Sequence, residues 1–261
     1  MRFPLFTALI LLQATAAPVP VASRDRADVR AGLDTLYAGD FARAAVHFEE
    51  MSARDTTDPA GPIFHAGAYI WWASALDSIS FERRRIDSLL ALALTRARTA
   101  GPAADFWLAT AHGYRARERD VHGETWGAAR DGKAMRDAYR RVVRADTTCV
   151  DCFLGLGVYH YGLARAPGLA KFVAKIVGLG SGDADSAFAY LHRVAAEGDL
   201  ARVEGAWVLA SALVRDAARA KDPAQRARLQ AEARAVVEQL AVRYPANPVF
   251  RRFLDEVPPP P

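Results

Sequence analysis

The 261-residue chain contains two cysteines, three methionines and four lysines against 30 arginines. It has no apolar run approaching the roughly 18 residues of a membrane-spanning helix, so a soluble mature protein is expected. Strict apolar–polar alternation over a strand's length is scarce, which argues against a sheet protein. The six histidines, His47, His65, His112, His122, His160 and His192, never lie three or four residues apart, and no His-Glu-x-x-His occurs, so no metal site is expected. A Gly-x-Ser-x-Gly elbow is missing, which leaves nucleophilic catalysis without support. Gly178, Gly180 and Gly182 lack the Lys-Ser/Thr or strand–turn–helix setting that a phosphate cradle requires, and no cofactor is expected. With 51% hydrophobic and 25% charged residues, the chain is neither disordered nor collagen-like. Its net charge of +4 is spread along the whole length and is weak evidence for a nucleic-acid or membrane partner, and no nucleic-acid partner is expected.

What is present begins with an address. Arg2 precedes an apolar stretch from Phe3 to Leu12, and Ala14-Thr15-Ala16 has the small-x-small form that a signal peptidase reads. Residues 1–16 are therefore read as a cleaved secretory signal and 17–24 as an extended leader. The expected location is periplasmic or secreted, in an oxidising compartment. Pro258 to Pro261 form a short tail.

From residue 25 to 257 the apolar positions recur at three- and four-residue spacing, with 54 alanines favouring helix and close helix contact. Helices are expected near 25–38, 41–54, 62–77, 81–100, 103–119, 124–145, 149–165, 183–197, 201–218 and 223–243. Breakers such as Gly39-Asp40, Gly101-Pro102, Gly198-Asp199 and Asp222-Pro223 separate them. Ten helices on short links pair into five antiparallel hairpins, an all-α fold.

A register runs through these helices. Ala44, Phe48 and Met51 precede Asp55-Thr56-Thr57, and Met135, Tyr139 and Val142 precede Asp146-Thr147-Thr148 at the same offsets. Ala187, Leu191 and Val194 repeat the phase, as do Ala233, Val237 and Leu240, with Pro245 five further on. Gly39-Asp40-Phe41 and Gly182-Asp183 sit at inter-helix turns, and Gly32 and Trp207 at first-helix positions. On these residues the chain resembles the tetratricopeptide-repeat superfamily, in a divergent form like the secreted repeat proteins of bacterial envelopes. The resemblance covers about two-thirds of the mature chain. It departs from the family in three ways: the repeats are unevenly spaced, the 62–100 pair lacks the signature, and residues 166–181 form an insert. It implies a right-handed α-solenoid whose concave face binds peptides or proteins.

Cys149 and Cys152 form a Cys-x-x-Cys pair. A c-type haem would need His at position 153, which is Phe, and zinc would need two further ligands. A structural disulfide, two packed thiols or a redox pair remain as readings. Tyr159, His160 and Tyr161, in a glycine-rich segment, are candidate binding residues, together with His112 and Arg115 on the 103–119 helix. Arg130, Lys133, Arg136, Arg140, Arg141 and Arg144 give the 124–145 helix a basic face, read as solvated. Trp71-Trp72 and Phe106-Trp107 are read as core. In the insert, Leu169, Phe172, Val173, Ile176 and Val177 lie opposite Lys171 and Lys175; the segment caps the core or else touches a membrane surface.

The expected function is a non-enzymatic scaffold that binds a protein or peptide partner in the cell envelope. The alternative is a periplasmic small-ligand-binding protein associated with a transport system, with its pocket near Tyr159, His160 and Tyr161 beneath the insert.

Overall fold

The alanine-rich stretches between breakers become twelve α-helices in the computed structural model, which describes residues 26–257. They are α1 (Arg26–Tyr37), α2 (Phe41–Arg54), α3 (Ala60–Ala75), α4 (Arg83–Ala97), α5 (Ala104–Val121) and α6 (Thr125–Ala145) in the first half. The second half holds α7 (Cys152–Arg165), α8 (Gly168–Val177), α9 (Ala184–Glu197), α10 (Arg202–Arg219), α11 (Pro223–Arg243) and α12 (Pro248–Glu256). The described residues contain no strand, and the fold is all-α. The signal, leader and tail expected from the sequence lie outside the described residues.

The helix ends follow capping chemistry. Asp40 accepts a hydrogen bond from the Arg43 amide at the start of α2, and Asp183 does the same for Ser186 at α9. The two Asp-Thr-Thr segments close identically. Asp55 Oδ1 accepts from Thr57 N at 2.8 Å and Thr57 Oγ1 at 2.6 Å, while Asp146 Oδ1 accepts from Thr148 N at 2.9 Å and Thr148 Oγ1 at 2.6 Å.

Most boundaries fall within three residues of expectation, and three departures have a local cause. α7 begins at Cys152 rather than 149, because residues 149–151 form a turn closed by the Cys149–Cys152 disulfide. α4 begins at Arg83 because Glu82 sits in the left-handed region at φ 52°. α12 was not expected at all. Asn247 accepts from the Val249 amide and Pro248 occupies the first helical position, which starts this short helix.

The helices pack as α1–α2, α3–α4, α5–α6, α7–α9 and α10–α11, and each second helix also rests on the next first helix. Short links make α1–α2, α3–α4, α5–α6 and α10–α11 antiparallel hairpins, whereas α8 is inserted between α7 and α9. The recurring apolar phase is the glue. Ala44, Phe48, Ala187, Leu191, Val194, Ala233 and Val237 are all fully buried. Equivalent second-helix rings press on glycines of neighbouring first helices. A Cβ at Gly32 would fall 2.5 Å from the Phe48 ring, and one at Gly155 would fall 2.3 Å from Tyr139. Only glycine permits these approaches.

The inner faces of α3, α10 and α12 meet one another. Trp71 lies 5.8 Å from both Trp207 and Phe250, ring centre to ring centre, and Tyr37 packs edge-on against Trp71 at 5.4 Å. Tyr114 of α5 donates to Glu204 of α10 at 2.6 Å. The space between α3, α10 and α12 is thus filled by the chain's own aromatic side chains, and α1 is joined to the segment leading into α12.

Candidate functional site

That junction forms a cleft of about 290 Å³. Its floor comes from α1, where helical spacing places Leu33 and Tyr37 inward and Arg30 and Asp34 toward the rim. The opposite wall is the α9–α10 turn, Gly198 to Leu200, with Arg202 and Val203 of α10; Arg243 and Tyr244 close one end.

The turn is held by a residue from far away. The Asp151 carboxylate accepts from the amides of Asp199 at 2.7 Å, Leu200 at 3.1 Å and Ala201 at 3.2 Å. It thereby satisfies three N–H groups leading into α10, in addition to sitting at the start of α7 between the disulfide cysteines. Asp199 faces α1 instead. Its carboxylate accepts from Arg26 at 2.8 Å and from both Arg30 nitrogens at 2.7 and 2.9 Å. The Arg30 hydrogen bonds hold Asp199 below the usual carboxylate range, outweighing its partial burial. Asp34 accepts from Tyr244 Oη at 2.7 Å and pairs with Arg243 at 3.3 Å, where both charged groups are more than half exposed. Burial, with Glu204 nearby, pushes the Tyr37 phenol well up, so it stays neutral.

The residues expected to bind fall into three other places. His112 and Arg115 converge on Asp131 of α6, a buried carboxylate. His112 Nδ1 is 2.7 Å from Oδ1, Arg115 forks onto both oxygens at 2.6 and 2.9 Å, and Arg119 also donates. Burial pushes Asp131 up, but the bonds from His112 and Arg115 and the two guanidinium charges outweigh it, so the carboxyl lies below its ordinary value. Every strong partner of Asp131 is a neighbour on the α5–α6 hairpin. The cluster locks these helices together.

Tyr159, His160 and Tyr161 do not share one pocket. Tyr159 donates to the Leu179 carbonyl at 2.5 Å, with Arg136 and Arg140 over its ring at 5.4 and 5.6 Å. His160 Nδ1 accepts from the Asp183 amide at 3.3 Å, and burial together with Arg140 lowers its pKa. Tyr161 turns toward α10, where its hydroxyl meets Asp216 at 3.0 Å and the Ala212 carbonyl at 3.1 Å. Beneath the exit of the insert, the space is filled by the Tyr159 and Arg136 contacts to Leu179.

Among the described residues, no three His, Cys, Asp or Glu side chains gather to hold a metal ion. No protein family, no curated protein and no solved structure matches this chain. The cleft residues Arg30, Asp34, Asp199 and Arg202 escaped sequence reasoning because they come from α1 and from the α9–α10 turn and the start of α10, about 170 residues apart in the chain. The one local sign was Gly198-Asp199 before a helix, which reads equally well as a plain breaker.

Proposed function

We propose that the chain is a non-catalytic interaction module of tetratricopeptide type, working outside the cytoplasm, that seats a short segment of a protein partner in the cleft between α1 and the α9–α10 turn. The extracytoplasmic address rests on the features of residues 1–16, and the solenoid kinship on the four-fold apolar phase and the two matching Asp-Thr-Thr turns. The observation that carries the reading is the cleft itself. It has an apolar lining of Leu33 and Tyr37 on the floor and Leu200 and Val203 on the opposite wall, and a rim carrying both signs of charge in Arg30, Asp34, Arg202 and Arg243. Such a site offers burial to a side chain and both donors and acceptors to an extended backbone. Because Trp71, Trp207 and Phe250 fill the space between α3, α10 and α12, the partner is assigned to this seam rather than to a groove along the first helices.

A second reading uses the same cleft for a small molecule, favoured by a volume near the lower end of ligand pockets. A photoreactive amino acid at Arg202, with Arg228 on α11 as the remote control, separates the two. One stoichiometric protein adduct from position 202 and none from 228 supports the partner reading. Equal adducts from both positions sink it, and a bound small molecule in native mass spectrometry, lost on changing Arg202 and Arg243 to glutamate, establishes the second.

A further inference from the structure

The insert helix α8 turns two different faces outward and inward. Val173 and Ala174 are buried against the body of the protein, chiefly on α6. Leu169, Phe172 and Ile176, spaced to share one side of the helix, are 69%, 60% and 56% exposed. Trp126, at the start of α6, is 45% exposed and flanks Leu169 across a shallow depression of about 280 Å³. Large side chains rarely stand together in solvent without a partner surface.

The charge on α8 itself has one sign. α8 has no acidic residue and carries Lys171 and Lys175, both exposed. Lys133 reaches from α6 to the C-terminal end of α8, its Nζ beside Gly178. Three of the chain's four lysines therefore gather at this edge of a protein that otherwise uses arginine. Glu124, which lines the depression, is engaged by Arg83 and Arg119, and Asp137 of α6 by Arg136. Lysine, with a hydrated charge on a flexible apolar stem, suits a headgroup layer, where the stem lies along acyl chains and the ammonium meets phosphate.

We propose that the outward face of α8, extended by Trp126, is a docking surface for an anionic phospholipid bilayer, with Leu169, Phe172 and Ile176 entering the headgroup boundary and Lys171, Lys175 and Lys133 contacting lipid phosphates. A short basic helix with bulky apolar residues on one exposed side lies in the plane of an interface rather than crossing it. In agreement, no helix among the described residues is long and apolar enough to cross a membrane. The proposal stands independently of the cleft reading, since α8 contributes nothing to the cleft lining.

The test is co-sedimentation of the full chain with vesicles of phosphatidylcholine alone and of phosphatidylcholine mixed with phosphatidylglycerol, using brominated lipid to quench tryptophan. Because wild type and variants carry the same N-terminal residues, any difference belongs to α8. Binding to the mixed vesicles is expected, weakening with salt. Phe172→Glu with Ile176→Glu should lower it more than tenfold, and Lys171→Gln with Lys175→Gln about thirtyfold. Bromolipid quenching should fall most in Trp126→Phe, since Trp126 is exposed, Trp71 and Trp107 are only 4% and 1% exposed, and Trp72 and Trp207 are partly buried against the core. These positions face solvent, so an unchanged thermal melt shows that each variant is folded. Equal binding to both vesicle types, no binding to either, or wild-type binding in the Phe172/Ile176 variant overturns the proposal. So does self-association of the full chain, seen by analytical ultracentrifugation and abolished by the same variant, because the face would then be covered by a second copy.

Discussion

Asn247 donates its side-chain amide to the backbone carbonyl of Tyr37, 2.9 Å away in space and 210 residues away in sequence. The same side chain accepts from the Val249 amide with its oxygen, and the residue is fully buried. One amide thus starts α12 and fastens it to the end of α1. Asn247→Ala removes a cap and leaves a buried carbonyl unsatisfied, so a loss of about 2 kcal/mol is expected in urea denaturation. A loss below about 0.5 kcal/mol would show that the junction adds nothing.

The Asp131 cluster predicts a different signature. Asp131→Asn keeps an acceptor but leaves the positive charge of Arg115 and Arg119 uncompensated. The expected cost is about 2 kcal/mol at neutral pH, less than for a fully buried pair because the Arg115 and Arg119 side chains are 26% and 32% exposed. Since the folded-state pKa is depressed, the stabilisation is whole above the ordinary carboxylate range and disappears as pH falls through the lowered value. Guanidinium melts across acidic pH should show a shallower acid slope in the variant; an unchanged slope argues that Asp131 is not ionised in its pocket.

His65 supplies the complementary case at milder pH. It is 3% exposed, stacked on Tyr69, and its Nε2 has no hydrogen-bond partner. Burial lowers its pKa from the ordinary 6.5. The unfolded chain therefore takes up the proton first as pH falls, and stability is complete above about 6.5 and declines below it. Wild-type Tm should drop between about pH 7.5 and about pH 5.5, and His65→Phe should reduce that drop. Full retention of the pH dependence in the variant would place its origin elsewhere.

Asp151 lies between the disulfide cysteines while its carboxylate serves a turn some 48 residues later. Asp151→Ala should cost about 1–2 kcal/mol. Its specific mark is faster hydrogen exchange at the amides of Asp199, Leu200 and Ala201. Cys149→Ser with Cys152→Ser should accelerate the same three amides, with a global cost of about 2 kcal/mol or less because the closed loop is short. Acceleration spread evenly over the chain would dissociate the disulfide from this turn.

The helices were legible wherever burial repeats at fixed local spacing. Ala44, Phe48 and Met51 reveal α2 because all three must face inward, and the Asp55 and Asp146 turns reveal themselves through residues two apart. α12 was hidden by its brevity, although Asn247-Pro248 carried the start. Candidate-site residues were legible singly and not in their pairings. His112 and Arg115 were singled out, but their common partner Asp131 lies 19 and 16 residues further on another helix. Tyr159 and Tyr161, two residues apart in sequence, sit some 200° apart around a helix and serve different neighbours.

An array of helical hairpins with open ends unfolds by fraying, because each terminal unit has only one neighbour to lose. Here the Asn247–Tyr37 and Asp34–Tyr244 bonds, with Trp71 against Phe250, give the terminal units a second neighbour. Fraying from either end must break contacts with both sides at once. Removing α12 therefore costs more than one step of helix: it takes away the Asn247–Tyr37 bond and the Phe250 ring, and leaves α1 held by Asp34–Tyr244 and by Arg26 and Arg30 on Asp199, so α1 should loosen before the rest melts.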